Sequence, residues 1–114
     1  MKDFPEFMKN PKNRIKQTSQ YTKGIEGFVY DGADGSQMAF WTCADAGVSS
    51  EHAHEYGEYL VCVQGQYKLI IDKDVITLNP GDEYYIPAGV VHGGERIANT
   101  RTIHAFGGKR AERE

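Results

Sequence analysis

The sequence has 114 residues, of which 39% are hydrophobic, 25% charged and 11% aromatic, and its formal net charge is −3. That length supplies one domain with a single core, and the composition is too rich in tyrosine, phenylalanine and valine for a disordered chain. No apolar run approaches the roughly 18–20 residues of a membrane helix, and the opening MKDFPEFMKNPKNR lacks the apolar centre of a signal peptide, so a cytoplasmic protein with no membrane partner is expected.

Charge is unevenly spread. Residues 1–16 hold five basic and two acidic side chains and residues 109–114 hold three and two, which leaves 17–108 at a net −7. An acidic body argues against a groove that tracks phosphates, so no nucleic-acid partner is expected. Cys43 and Cys62 fit neither a disulfide framework nor a CxxC zinc pattern and are read as reduced thiols.

In chain order, residues 1–16 form an N-terminal arm. Phe4, Phe7 and Met8 recur at i, i+3 and i+4, the pattern of one amphipathic turn that Pro11 stops, suited to docking on the body or at a dimer interface. Thereafter glycines break the chain into apolar segments mostly shorter than ten residues. Phe28–Tyr30, Met38–Cys43, Tyr59–Val63, Tyr67–Ile71, Val75–Leu78, Tyr84–Ile86 and Thr102–Phe106 are rich in β-branched and aromatic residues and read as strands. Asp72-Lys73-Asp74 reads as a hairpin tip, and Asn79-Pro80-Gly81-Asp82 as a turn in which Pro sets φ and Gly takes a conformation other residues avoid. The expected class is all-β, a sandwich or barrel, because each short strand needs a second layer to cover its apolar face.

Four histidines stand at 52, 54, 92 and 104. In extended chain the period of two sends His52 and His54 to one face. Glu55-Tyr56-Gly57 then offers a tight turn, after which Glu58 opens the next strand beside them. Two imidazoles and a carboxylate grip a divalent transition metal, and a third imidazole would complete the set.

With these residues the chain resembles the cupin family. The first family motif, a Gly, then HxH, Glu and Gly, is matched by Gly47, His52, His54, Glu58 and Gly65, with the spacing from Gly47 to His52 one residue short of the commonest form. The second motif, G-x5-P-x-G-x2-H, is matched in full by Gly81, Pro87, Gly89 and His92, and Arg96 stands where Asn is frequent. The motifs span residues 47–92, and the strand pattern extends the likeness over most of residues 1–114, read as one domain. The resemblance implies a double-stranded β-helix barrel of jelly-roll type, one divalent metal held inside by His52, His54, Glu58 and His92, and a homodimer. It implies no single reaction, since the family includes dioxygenases, isomerases, decarboxylases, sugar binders and sensors.

Three neutral imidazoles and one carboxylate leave a dication with net +1 and an octahedral ion with about two open positions, suited to Fe, Mn, Ni, Co or Zn and to a small anionic ligand. The functional expectation is a metal-dependent enzyme of oxygenase, isomerase or lyase type acting on a small polar or anionic metabolite. The alternative is a noncatalytic small-ligand binder or sensor. His104, in the last strand, is the candidate catalytic acid or base, or else a partner that orients a metal ligand. Arg96 and Arg101 are read as solvated rim charges able to pair a substrate carboxylate. Tyr84 and Tyr85 must face opposite ways, and Cys62, on the Glu58 and Leu60 face, is read as core packing.

Overall fold

The computed structural model describes residues 1–114. Three short 3-10 turns, Glu6–Met8, Pro11–Asn13 and Gln17–Ser19, precede nine strands: β1 Ile25–Asp31, β2 Gln37–Cys43, β3 Gly47–His52, β4 Glu58–Gln64, β5 Tyr67–Ile71, β6 Asp74–Leu78, β7 Glu83–Ile86, β8 His92–Arg96 and β9 Thr100–Phe106. They form a five-stranded sheet, β1-β2-β9-β4-β7, and a four-stranded sheet, β3-β8-β5-β6. Every pairing is antiparallel.

Alternation along the strands builds the interior. In β4, Glu58, Leu60 and Cys62 are buried while Tyr59 and Val61 between them are not. Leu60, Cys62 and Ile86 of the larger sheet pack against Leu69 and Leu78 of the smaller, closing the barrel at one end. Burying each of these large aliphatic side chains contributes roughly 1.5–3 kcal/mol. A second cluster, Val29, Ala39, Trp41, Cys43 and Phe106 with Ile15 and Ala111, fills the other end. Both cysteines are free and buried, as expected for core thiols.

The turns behave as their chemistry dictates. Gly81 takes φ +96° and Asp82 donates its N–H to Asn79 O at 2.9 Å, the Pro-Gly arrangement of a type II turn. Ile71 pairs with Asp74 across the tip at Asp72-Lys73. Two strands were not legible as such. β8 carries the pair Gly93-Gly94, which reads as a break, yet a Cβ on Gly94 would overlap the Tyr67 hydroxyl and one on Gly93 would lie 3.2 Å from Ser49 O. The strand needs glycine for close approach. β3 is a largely exposed, serine-containing edge strand without an apolar face to announce it.

The N-terminal arm docks on its own barrel. Phe4 is buried against Phe28 and Phe40 on the outer face of the larger sheet, with ring centroids 4.7 Å apart for Phe4 and Phe40. Met8 packs partly on the same cluster, whereas Phe7 is 82% exposed. The chain beyond β9 is also tied down. Ile15 bridges Arg113, Lys16 N–H donates to Glu112 O at 2.9 Å, and Gln37 holds the main chain of residues 110–111 through its side-chain amide. No helix is long and apolar enough to cross a membrane.

Candidate metal centre

The site lies between the sheets. His52 ends β3 directly opposite His92, the first residue of β8. His54 lies two residues beyond the end of β3, in a connection pinned by Gly89 N–H donating to His54 O at 2.7 Å and Gly107 N–H donating to Gly57 O at 2.9 Å. Glu58 then opens β4 in the other sheet. His52, His54, Glu58 and His92 each present one ligand atom, and those atoms all lie within 4.8 Å of one another.

The backbone fixes the tautomers. His52 Nδ1–H donates to Ser50 O at 2.8 Å and His92 Nδ1–H to Val90 O at 3.0 Å, which leaves the Nε2 lone pairs facing the centre. His54 Nε2 and His92 Nε2 stand 3.4 and 3.3 Å from Glu58 Oε1. These three atoms are buried and have no hydrogen-bond partner. Buried polar atoms are nearly always paired, and leaving one unpaired costs about 1–3 kcal/mol. One dication among them would satisfy all three, and their borderline nitrogen and hard oxygen character suits a first-row transition metal. The residues present therefore fit the ion.

Protonation is set in the same sense. Burial resists ionisation of Glu58, but His104, His54 and His92 beside it outweigh that and hold its carboxyl well below the usual carboxylate range. Burial pushes His52 down to about 4, so its imidazole is neutral near neutral pH. Burial also opposes charge on His92, and the Glu58 carboxylate more than offsets this and raises it.

His104 stands beside Glu58 and is equally buried. Its Nδ1–H donates to Glu58 Oε2 at 2.9 Å, and its Nε2 accepts from the Thr102 hydroxyl at 2.9 Å. Trp41 packs edge-on against the ring at 4.8 Å.

Arg96 and Arg101 correct the rim reading, for both are buried. Arg96 donates to Asp45 O, Thr22 Oγ1 and Lys23 O, fastening two loops. Arg101 donates to Gln64 Oε1 and Met1 O and lies over the Phe4 ring. Three main-chain carbonyls and the side-chain oxygens of Thr22 and Gln64 supply the partners that water would otherwise provide. Tyr84 packs on the core and Tyr85 faces outward, as parity requires, and Cys62 lies in the core. Tyr56 stacks on His54 at 4.9 Å, and Tyr59 faces outward and donates to Glu83 Oε2.

Three residues of the site lie outside the sequence reading: Tyr21, Tyr67 and Arg110. With His52, Glu58 and His92 they line a cavity of about 60 Å³. Tyr21 stacks on His52 with centroids 3.8 Å apart and planes 10° apart. Tyr67 could have been found, since it shares the inward parity of Leu69 on β5. Tyr21 and Arg110 carry no sequence signal, because loops deliver them from outside the motifs.

A family model described as a cupin domain matches residues 39–104, a segment that contains all four candidate ligand positions and His104. The chain belongs to the cupin family. This cupin is 44% identical over 43 residues to quercetin 2,3-dioxygenase of Bacillus subtilis (strain 168), a match covering 37% of the chain and only 13% of that enzyme. Among solved structures it is similar to an RmlC-like cupin from Shewanella frigidimarina NCIMB 400, with a TM-score of 0.69 at 16% identity over 86% of this chain and 96% of that one. KdgF from Halomonas sp. superposes with a TM-score of 0.67 at 18% identity, covering 88% and 93% of the two chains. A cupin superfamily protein from Desulfitobacterium hafniense DCB-2 gives 0.67 at 19% identity over 73% and 76%. At these identities the structural likeness shows the cupin barrel and nothing finer.

Proposed function

We propose that this cupin is a metal-dependent enzyme acting on a small polar or anionic metabolite that chelates the ion. The observation that carries the reading is the convergence of the orphaned His54 Nε2, Glu58 Oε1 and His92 Nε2 with His52 at the wall of an open cavity. When bound, an ion there supplies Lewis-acid chemistry, or dioxygen activation if it is iron. The partial match to a dioxygenase supports placing oxygen chemistry among the candidate classes, beside isomerase and lyase chemistry.

The chain's own contribution is positioning. Glu58 and the three imidazoles hold one side of the ion and leave the cavity side to the substrate. His104 orients Glu58 by holding Oε2, and it is the candidate for passing a proton at that oxygen, provided the Thr102 bond opens. That both nitrogens of His104 are engaged favours the second reading, a noncatalytic ligand-binding or sensor cupin, in which the same pocket captures a ligand without turnover.

We also infer a homodimer in the cytoplasm. Across the outer face of the larger sheet, Tyr30, Met38, Ala105, Tyr59 and Tyr85 stand in register as one row, with Met38 55% exposed, and this row suits a second copy. Light scattering on the purified protein checks the dimer. The buried free thiols are in keeping with a reducing compartment.

The deciding experiment is elemental analysis of untagged protein purified anaerobically, beside a His52→Ala, His92→Ala double variant. Close to one Fe, Mn, Ni, Co or Zn per chain, absent from the variant, is the expected result. A protein that retains no metal, and whose apo form binds none on titration, refutes the enzyme reading in this form.

A further inference from the structure

Two cations line the cavity wall, Arg96 and Arg110, neither with a carboxylate partner, and Arg110 is the less engaged of the two. Arg14 and Arg113 pair with Glu26 and Asp31. Arg96 has each of its three guanidinium nitrogens engaged by a hydrogen bond to a loop oxygen. Arg110 makes a single side-chain hydrogen bond, Nη1–H to Ser19 O at 2.5 Å, and no carboxylate lies within ion-pair reach. A guanidinium has five N–H donors, so four are left without a protein acceptor on a side chain that lines the same cavity as Tyr21, His52, Glu58, Tyr67 and His92.

The position is enforced from behind. Arg110 N–H donates to Gln37 Oε1 at 2.7 Å, Ala111 N–H to the same oxygen at 3.0 Å, and Gln37 Nε2 donates back to Ala111 O at 3.1 Å. The guanidinium is then set by rings. Its carbon lies 4.4 Å from the centroid of Tyr21, 5.7 Å from Trp41 and 5.9 Å from Phe106. Tyr21 in turn stacks on His52, so one aromatic ring links the cation to a metal ligand. Burial works against the positive charge and lowers its proton affinity. An unpaired, partly desolvated guanidinium held this firmly is a costly feature unless something anionic completes it.

We propose that Arg110 is the anion anchor of this site, binding the carboxylate of a small organic acid whose second oxygen donor completes the coordination of an ion at His52, His54, Glu58 and His92. This rests on the metal-site reading above. The Tyr67 hydroxyl, which also has no hydrogen-bond partner in the protein, is a second donor for the same ligand. Flat aromatic walls and one guanidinium with nitrogens to spare, Arg96 having all three of its own engaged, fit a planar monoanionic carboxylate better than a phosphate dianion, which takes more donors. Short dicarboxylates and hydroxy- or keto-acids are the matching class.

The test uses zinc-loaded and apo full-length protein, titrated with malonate, succinate and glutarate, with their diamides and with inorganic phosphate. Binding is followed by calorimetry and by the emission of Trp41, the only tryptophan in the chain and a wall of the cavity. The expected result is that a dicarboxylate binds the zinc-loaded protein and its diamide does not, and that Arg110→Gln weakens binding ~10-fold or more, as loss of a charged hydrogen-bonding partner does. Arg110→Lys should recover part of it. Unchanged zinc content and melting temperature in both variants exclude misfolding. Equal dicarboxylate binding by wild type and both variants, binding of phosphate alone, or no anion binding at all overturns the proposal. Dicarboxylate binding to wild type that takes up no zinc, lost in Arg110→Gln, upholds the anchor while refuting the metal reading.

Discussion

Glu58 divides its two oxygens: Oε2 accepts the Nδ1–H of His104 at 2.9 Å, and Oε1 is thereby turned toward His54 and His92 with no hydrogen bond of its own. Removing His104 frees the carboxylate to rotate. His104→Ala is expected to lower metal affinity by about 10–100-fold, the usual effect of losing a group that orients a ligand. Thr102→Val, which removes only the hydroxyl on His104 Nε2, should lower it less. Competition with a chelator of known affinity measures both, and a variant that binds metal as tightly as the wild type would show that Glu58 is oriented without His104.

Metal should stabilise the fold, because the orphaned atoms gain their partner only when it binds. At a free zinc concentration 100-fold above the dissociation constant the gain is about 2.7 kcal/mol, a rise in Tm on the order of 10 °C for a domain of this size. Calorimetric scans of apo and loaded protein give the shift. Glu58→Gln should abolish it.

Tyr67 of β5 lies against Gly94 of the neighbouring strand β8, and a Cβ there would overlap the phenol hydroxyl. Gly94→Ala is expected to cost about 1–3 kcal/mol by overpacking, read as a lower urea midpoint at constant slope. Pairing it with Tyr67→Phe should restore part of the loss.

Gln37 is 2% exposed, and its amide serves three main-chain groups of residues 110–111 as well as Asp31. Gln37→Ala strips partners from the buried Ala111 main chain and should cost about 2–4 kcal/mol. Amide exchange at residues 110–113 should accelerate more than in β4. Exchange that stays uniform would mean that this segment is not a separately held unit.

Acid should loosen the same segment. The Gln37 amide and the Arg113 guanidinium hold the Asp31 carboxyl below its ordinary value of 3.8, against burial, which raises it. A carboxyl depressed in the folded state adds stability that is complete above the unfolded value and lost as pH falls through the folded one. Protection of residues 110–113 should therefore decline below about pH 4, and Asp31→Asn should remove that pH step.

The motif residues were legible because metal ligation needs particular side chains at particular spacings, and the strands because β4 and β5 alternate. The rest failed for physical reasons. In β8 glycine serves close packing rather than a turn, so Gly93-Gly94 masks a strand. Arg96 and Arg101 read as solvated because the loop carbonyls that receive them come from residues 1–45, far away in sequence. Arg110 is invisible for the same reason. Nothing near position 110 reveals that Gln37 will fold beneath it or that Tyr21 will lie against it.

The order β1-β2-β9-β4-β7 places β9 between two pairs of strands that never touch each other. Thr100–Phe106 is thus a keystone rather than a border. Until it inserts, β2 and β4 have no shared neighbour, and Glu58, though paired with Ile86 of β7, lacks the histidine that aims it. Closure of the larger sheet and orientation of Glu58 are consequently one event. Such dependence on a distant strand slows folding, and it ties a competent metal centre to a finished barrel.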